Sequence, residues 1–217
     1  MMKLAFLAVF IALSQGLPTG RDMDIDTRSR QDKDLFLNDM RFPEGFAPQS
    51  GIIGDRYRWP NREVVYEIDG RFNNDERNVI LQGMNEISSR TCIRFRQRNG
   101  DGNFVFLERG GPGSGCWSYV GQQGGRQVLN LQAPEPGQGH CVWSGTVAHE
   151  LIHAIGYYHE QSRPDRDDFV AINWSNIPGD VAYNFDKFNW GEENSVLEQI
   201  RWEMFQGEKF IGAKWKN

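Results

Sequence analysis

The chain has 217 residues, of which 39% are hydrophobic and 12% aromatic. That is enough for one moderate domain with a sizeable core, and it excludes a wholly disordered chain. The formal charge is 24 − 29 = −5 with no long basic block, which argues against nucleic acid or an anionic membrane surface as the natural partner.

Lys3 precedes an apolar run from Leu4 to Leu13, and Ser14 and Gly16 supply the small residues of a cleavage site, so residues 1–16 read as a secretory signal peptide. The run is too short to span a bilayer as a helix, although a signal anchor is the competing reading. A secreted, extracellular protein in an oxidising compartment is expected. From Leu17 to about Ser50 the charges alternate and large apolar residues are scarce, as in a linker or a segment that is disordered on its own.

The next hundred residues read as α+β. Val64 to Ile68, Phe104 to Leu107, Trp117 to Val120 and Val128 to Leu131 are short β-prone runs. Between the first two, Asn73 or Asn74 can cap a helix that puts Ile80, Met84 and Ile87 on one face and runs to about Ser89. A sheet with a backing helix results. Gly110 to Gly115 reads as a flexible connection and not as a phosphate loop, because no Lys-Ser/Thr pair and no helix start follow it.

The chemistry concentrates in TVAHELIHAIGYYHEQSRPDRD, Thr146 to Asp167. On a helix, His149 and His153 leave the same face one turn apart and can reach one ion. Gly156 can take the conformation that ends the helix, which lets His159 approach the same point from outside. Three neutral imidazoles suit Zn²⁺ and leave a position open for water, as in a catalytic site. Glu150 projects about 100° round the helix from the ligand face, beside that position, and is the candidate general base. A bare HExxH could also be an ordinary amphipathic helix whose core face is Leu151, Ile152, Ala154 and Ile155. The Gly and the third His at these offsets favour the metal site, and His140 reads as an ordinary loop residue.

The stretch HELIHAIGYYHEQSRPDRDDFVAINWSNI resembles the zinc-binding signature of the astacin family of metzincin metalloendopeptidases. There the third His is followed by Glu and a downstream Arg-x-Asp-Arg-Asp, here Glu160, Arg163, Asp165, Arg166 and Asp167. RWP at Arg58 to Pro60, TCIRF at Thr91 to Phe95 and SGCWSYVG at Ser114 to Gly121 agree with it, so that the similarity runs from about Gly51 to Phe188.

The resemblance implies a metzincin-like zincin: a twisted mixed sheet, a backing helix and an active-site helix. It makes 17–50 a propeptide and 51–188 the upper part of a catalytic domain. Phe36-Leu37-Asn38-Asp39 resembles the inhibitory F-x-G-D, with Asn38 where Gly is expected, so Asp39 would take the open position on zinc; an ordinary solvated acid is the alternative. A cut near Ala47 to Ser50 would activate the protein, and the new amino terminus would be held near Glu160. The strand at Cys116 to Val120 becomes the cleft rim, where an extended peptide adds antiparallel to the sheet edge. Cys116 and Cys141 are an implied disulfide closing a loop of about 26 residues, a contribution of roughly 3 kcal/mol. Cys92 is left without its usual partner.

Past Phe188 the family's S-x-M-H-Y turn is not found, and Met204 in RWEMF does not substitute for it. The divergent tail, 189–217, reads as a helix with Val196, Ile200 and Met204 spaced by four, and the lower subdomain is expected to be largely absent, with poor stability and weak activity. Asn173-Trp174-Ser175 is a glycosylation sequon. The resulting expectation is a zinc endopeptidase acting on protein or peptide substrates, with one Zn²⁺ per chain on His149, His153 and His159, Glu150 as base, and neither nucleic acid nor membrane as partner. The alternatives are a secreted zinc-binding protein that is catalytically weak or inactive, and a structural domain without metal.

Overall fold

A computed structural model describes residues 35–36, 39–42, 55–162, 164–168 and 171–187, with the side chains of Phe36 and Glu160 excluded. The expected signal peptide, most of the propeptide with its cut at 47–50, the Glu160 carboxylate, Arg163 and the tail with Met204 therefore lie outside the described residues.

The four β-prone runs are strands: β3 (Glu63–Ile68), β5 (Phe104–Gly110), β6 (Cys116–Tyr119) and β7 (Arg126–Gln132). Three further strands are present, β1 (Leu35–Phe36), β2 (Met40–Arg41) and β4 (Arg94–Gln97). The order across the sheet is β1-β2-β6-β7-β5-β3-β4. β4, β3, β5 and β7 are mutually parallel, and β6 runs antiparallel to β7. β6 would be the edge of that five-stranded unit. The β1–β2 hairpin covers it, with β2 parallel to β6 in the register Met40↔Ser118 and Arg41↔Tyr119. Strands β1 and β2, which in sequence lie in what looks like charged linker, are thus anchored by backbone pairing.

Helix α1 (Asn74–Ser88) begins at a capping box: Asn73 Oδ1 accepts the Glu76 amide at 2.9 Å, and the Glu76 carboxylate accepts the Asn73 amide at 2.9 Å. Its Ile80, Met84 and Ile87 are buried with Val64, Val105, Leu107, Leu129 and Leu131 of the sheet, as the i, i+4, i+7 spacing predicts. Helix α2 (Ser144–Ile155) adds Val147, Ala148, Leu151 and Ala154, all fully buried. The two helices meet at Gly83, where a Cβ would come within 2.9 Å of Ser144 O and of Val147 Cγ1, so glycine there sets how closely α2 can dock.

One expectation needs correction. Gly110 is not part of a flexible connection; it ends β5, paired with Gln132, and a Cβ on it would meet Ser114 Oγ and Asn130 Oδ1. Asn130 Nδ2 donates to the carbonyls of Ser114 and Gly115, so buried amides organise the turn that glycine count alone suggests is loose. Cys116 and Cys141 are bonded, with Cα atoms 5.6 Å apart, tying β6 to the approach to α2. Cys92 forms no disulfide among the described residues and is partly buried.

Candidate metal centre

α2 holds His149 and His153 one turn apart because its other face is apolar and sunk in the core. Its C-terminal end is fixed from two sides. The indole Nε1 of buried Trp59 donates to Ala154 O at 2.8 Å, and the Gly121 amide, just past β6, donates to His153 O at 2.8 Å. Gly156 closes the helix at φ 120°, a region that favours glycine, and its amide also donates to His153 O. The chain then doubles back through Tyr157 and Tyr158 to His159.

The three imidazoles converge with Asp39, their ligating atoms all lying within 4.8 Å of one another. His149 Nε2 is 3.1 Å from His153 Nε2 and 3.3 Å from His159 Nε2. Asp39 Oδ2 lies 3.1 Å from His149 Nε2, 3.0 Å from His159 Nε2 and 3.9 Å from His153 Nε2. A tetrahedral ion with bonds of about 2.0–2.1 Å separates its ligand atoms by about 3.3–3.4 Å, so the donor set has the size and composition for zinc. The tautomer fits as well. His153 Nδ1 donates to Tyr157 O at 2.7 Å, which leaves its Nε2 lone pair facing the cluster.

Burial varies around the site: the side chains of His153 and His159 are 2% and 8% exposed, that of His149 44%. Burial opposes the charge on Asp39, but hydrogen bonds from His149, His153 and His159 outweigh it and hold the carboxyl well below its ordinary range. Glu150 is 1% exposed, and its Oε2 has no hydrogen-bond partner among the described residues. Burial first, and the Asp39 charge second, push its carboxyl well above the usual range.

The structure therefore brings together His149, His153, His159 and Asp39, with Glu150 on the same helix. His140 stands apart, stacked on Trp143 with its Nδ1 accepting the Val142 amide. Arg166, within the signature, is buried and donates to Gln161 O and Phe185 O, fastening the loop after the third histidine to the 179–185 turn. Asn173 and Ser175 are exposed, with Ser175 Oγ donating to Asn173 Oδ1. The residues that sequence reading did not mark are Arg41 and Phe42. Arg41 stacks on Trp117 and Phe42 on Tyr158. Nothing in a charged linker singles them out, although the W-S-Y alternation of β6 does announce two aromatics on one face.

A mixed sheet with a backing helix, and a second helix whose HExxH histidines meet a third beyond a glycine turn, define a zincin of the metzincin type. The family profile described as Astacin (Peptidase family M12A) matches residues 52–202, running past the boundary expected at about 188. The chain is 36% identical over 176 residues to zinc metalloproteinase nas-14 of Caenorhabditis elegans, covering 80% of this chain and 33% of that protein. To the human meprin A subunit beta it is 35% identical over 194 residues, covering 85% of this chain and 26% of the relative. A solved structure of high choriolytic enzyme 1, a hatching enzyme zinc-protease from Oryzias latipes, is 37% identical, with 60% and 62% of the two chains covered and a TM-score of 0.49. The chain belongs to the astacin family, whose members depend on zinc. It spans about a third and about a quarter of the length of the two relatives named first.

Proposed function

We propose that this chain is the latent form of a secreted zinc endopeptidase, with Glu150 as general base and Asp39 as its internal inhibitor. The observation that carries the reading is Glu150: a buried carboxylate with an oxygen that has no partner among the described residues, adjoining His149 on a helix in a family of zinc peptidases. Held by His149, His153 and His159, zinc would supply Lewis acidity, lowering the pKa of a water and polarising a substrate carbonyl. Glu150 takes the proton from the attacking water and delivers it to the leaving amine. Tyr157 O, through its bond to His153 Nδ1, fixes the ring that must not turn during the reaction.

In the latent chain the amides of Ser118 and Val120 donate to Asp39 O and Arg41 O at 2.8 and 3.1 Å. After a cut near residues 47–50, a substrate strand takes over those amides, which explains main-chain recognition with tolerance along the peptide. The freed amino terminus would pair with Glu160. Secretion rests on the apolar leader and agrees with the Cys116–Cys141 bond, and the exposed Asn173 would carry a glycan.

The test is Glu150→Gln in the processed protein. Zinc should stay near one equivalent while hydrolysis of an unfolded protein falls by about 10²–10⁴. Loss of the metal would make Glu150 a ligand, unchanged rates would remove it from catalysis, and a wild type that holds zinc without hydrolysis would favour a purely metal-binding protein.

A further inference from the structure

The propeptide strand places a cation on an aromatic surface beside the metal centre. The guanidinium carbon of Arg41 lies 4.1 Å from the centroid of the Trp117 ring and 5.8 Å from that of Tyr119. The two rings stand edge to face, centroids 6.2 Å apart, and form an open corner with two aromatic walls. Strand alternation explains the placement. Met40, fully buried, faces the core opposite Ser118, while Arg41, paired with Tyr119, lies on the other face with Asp39 two residues before it. One such step is about 6.5–7 Å, so the backbone of Arg41 lies about that far along the strand from the residue whose carboxylate stands among the imidazoles.

We propose that the Trp117–Tyr119 corner is a substrate subsite for a cationic side chain, about two residues from the bond cut, which Arg41 fills in the latent chain. The inference rests on the endopeptidase reading above. Trp117 and Tyr119 belong to the domain, whereas Arg41 belongs to the segment that activation removes; once that segment leaves, the ring faces lose their partner. A substrate strand pairing with the same Ser118 and Val120 amides sets every second side chain on this same face. The indole face attracts charge as well as apolar bulk, so arginine is preferred over a neutral isostere.

A single arginine is walked through an otherwise neutral extended peptide, and at each position is compared with citrulline, which keeps the shape and loses the charge. The processed, zinc-loaded protein reads kcat/KM, and its Glu150→Gln variant reads Kd, so that binding is measured even if hydrolysis is absent. Arginine should be favoured about 3- to 30-fold at one position two residues from the cut, in both readouts. In Trp117→Leu the ratio should fall to about 1, while Trp117→Phe keeps part of it, each variant having been checked for zinc content and folded spectrum. Equal values for arginine and citrulline at every position, or a preference that Trp117→Leu leaves intact, overturn the subsite. Absence of hydrolysis with a retained, Trp117-dependent difference in Kd would overturn the endopeptidase reading alone.

Discussion

At the scale of single residues, the centre is a problem of charge. His149 and His153 bring two nitrogens within 3.1 Å, and Asp39 adds an oxygen at hydrogen-bonding distance from His149 and His159. Lone pairs packed so closely need shared protons or a cation between them. Asp39 sits where the fourth ligand of a closed site would sit, so its removal should unlock the chain without any cut. We predict that unprocessed Asp39→Ala hydrolyses an unfolded protein substrate while unprocessed wild type does not. The open fraction should rise about tenfold for every 1.4 kcal/mol of carboxylate binding lost. An unprocessed variant as silent as wild type, at equal zinc content, would assign the block to β2 pairing alone.

At the scale of elements, α1 shows how local and tertiary signals share a residue. Asn73 caps the helix as Asn residues do, but Glu76, which completes the box, also accepts Arg109 Nη2 of β5 at 3.0 Å. The same carboxylate therefore pins the helix start to the sheet. Asn73→Ala should cost about 1–2 kcal/mol, measured as a shift in the urea midpoint with an unchanged slope. A loss of under half of that would mean that Arg109 orders the first turn without help from the cap. β4 gives the opposite lesson. R-F-R-Q has no apolar alternation to announce a strand, and it is held by parallel pairing to β3 and by Arg96 with Glu63 at 3.0 Å.

At the scale of the whole molecule, acid should find the polar layer that joins Asp69, Arg71, Glu76 and Arg109. Burial disfavours the charge on both carboxylates, yet hydrogen bonds from Arg71 and the Arg109 amide to Asp69, and from Arg109 and Asn73 to Glu76, lower both below their ordinary values. A group whose folded pKa is depressed contributes its full stability above the unfolded value and loses it as pH falls through the folded one. Thermal midpoints should therefore change little on this account above about pH 5 and fall below about pH 4. Glu76→Gln should be less stable than wild type at neutral pH and converge on it in acid; parallel curves would show that Glu76 is not part of the acid response.

How much of this protein its sequence determines follows from the range of the forces involved. The cluster of His149, His153 and His159, the position of Glu150 and the glycine turn are legible because side-chain geometry on and just past one helix is local: offsets of four, three and three residues carry it. The strands β3, β5, β6 and β7 and the buried face of α1 are legible for the same reason, since periodicity is written within each segment. The close packing of Gly110 against Asn130, the strand at β4, and the hairpin that lays Arg41 on Trp117 are decided only in three dimensions. Each depends on a partner about 20 to 80 residues away, and no window of sequence contains both sides of such a contact.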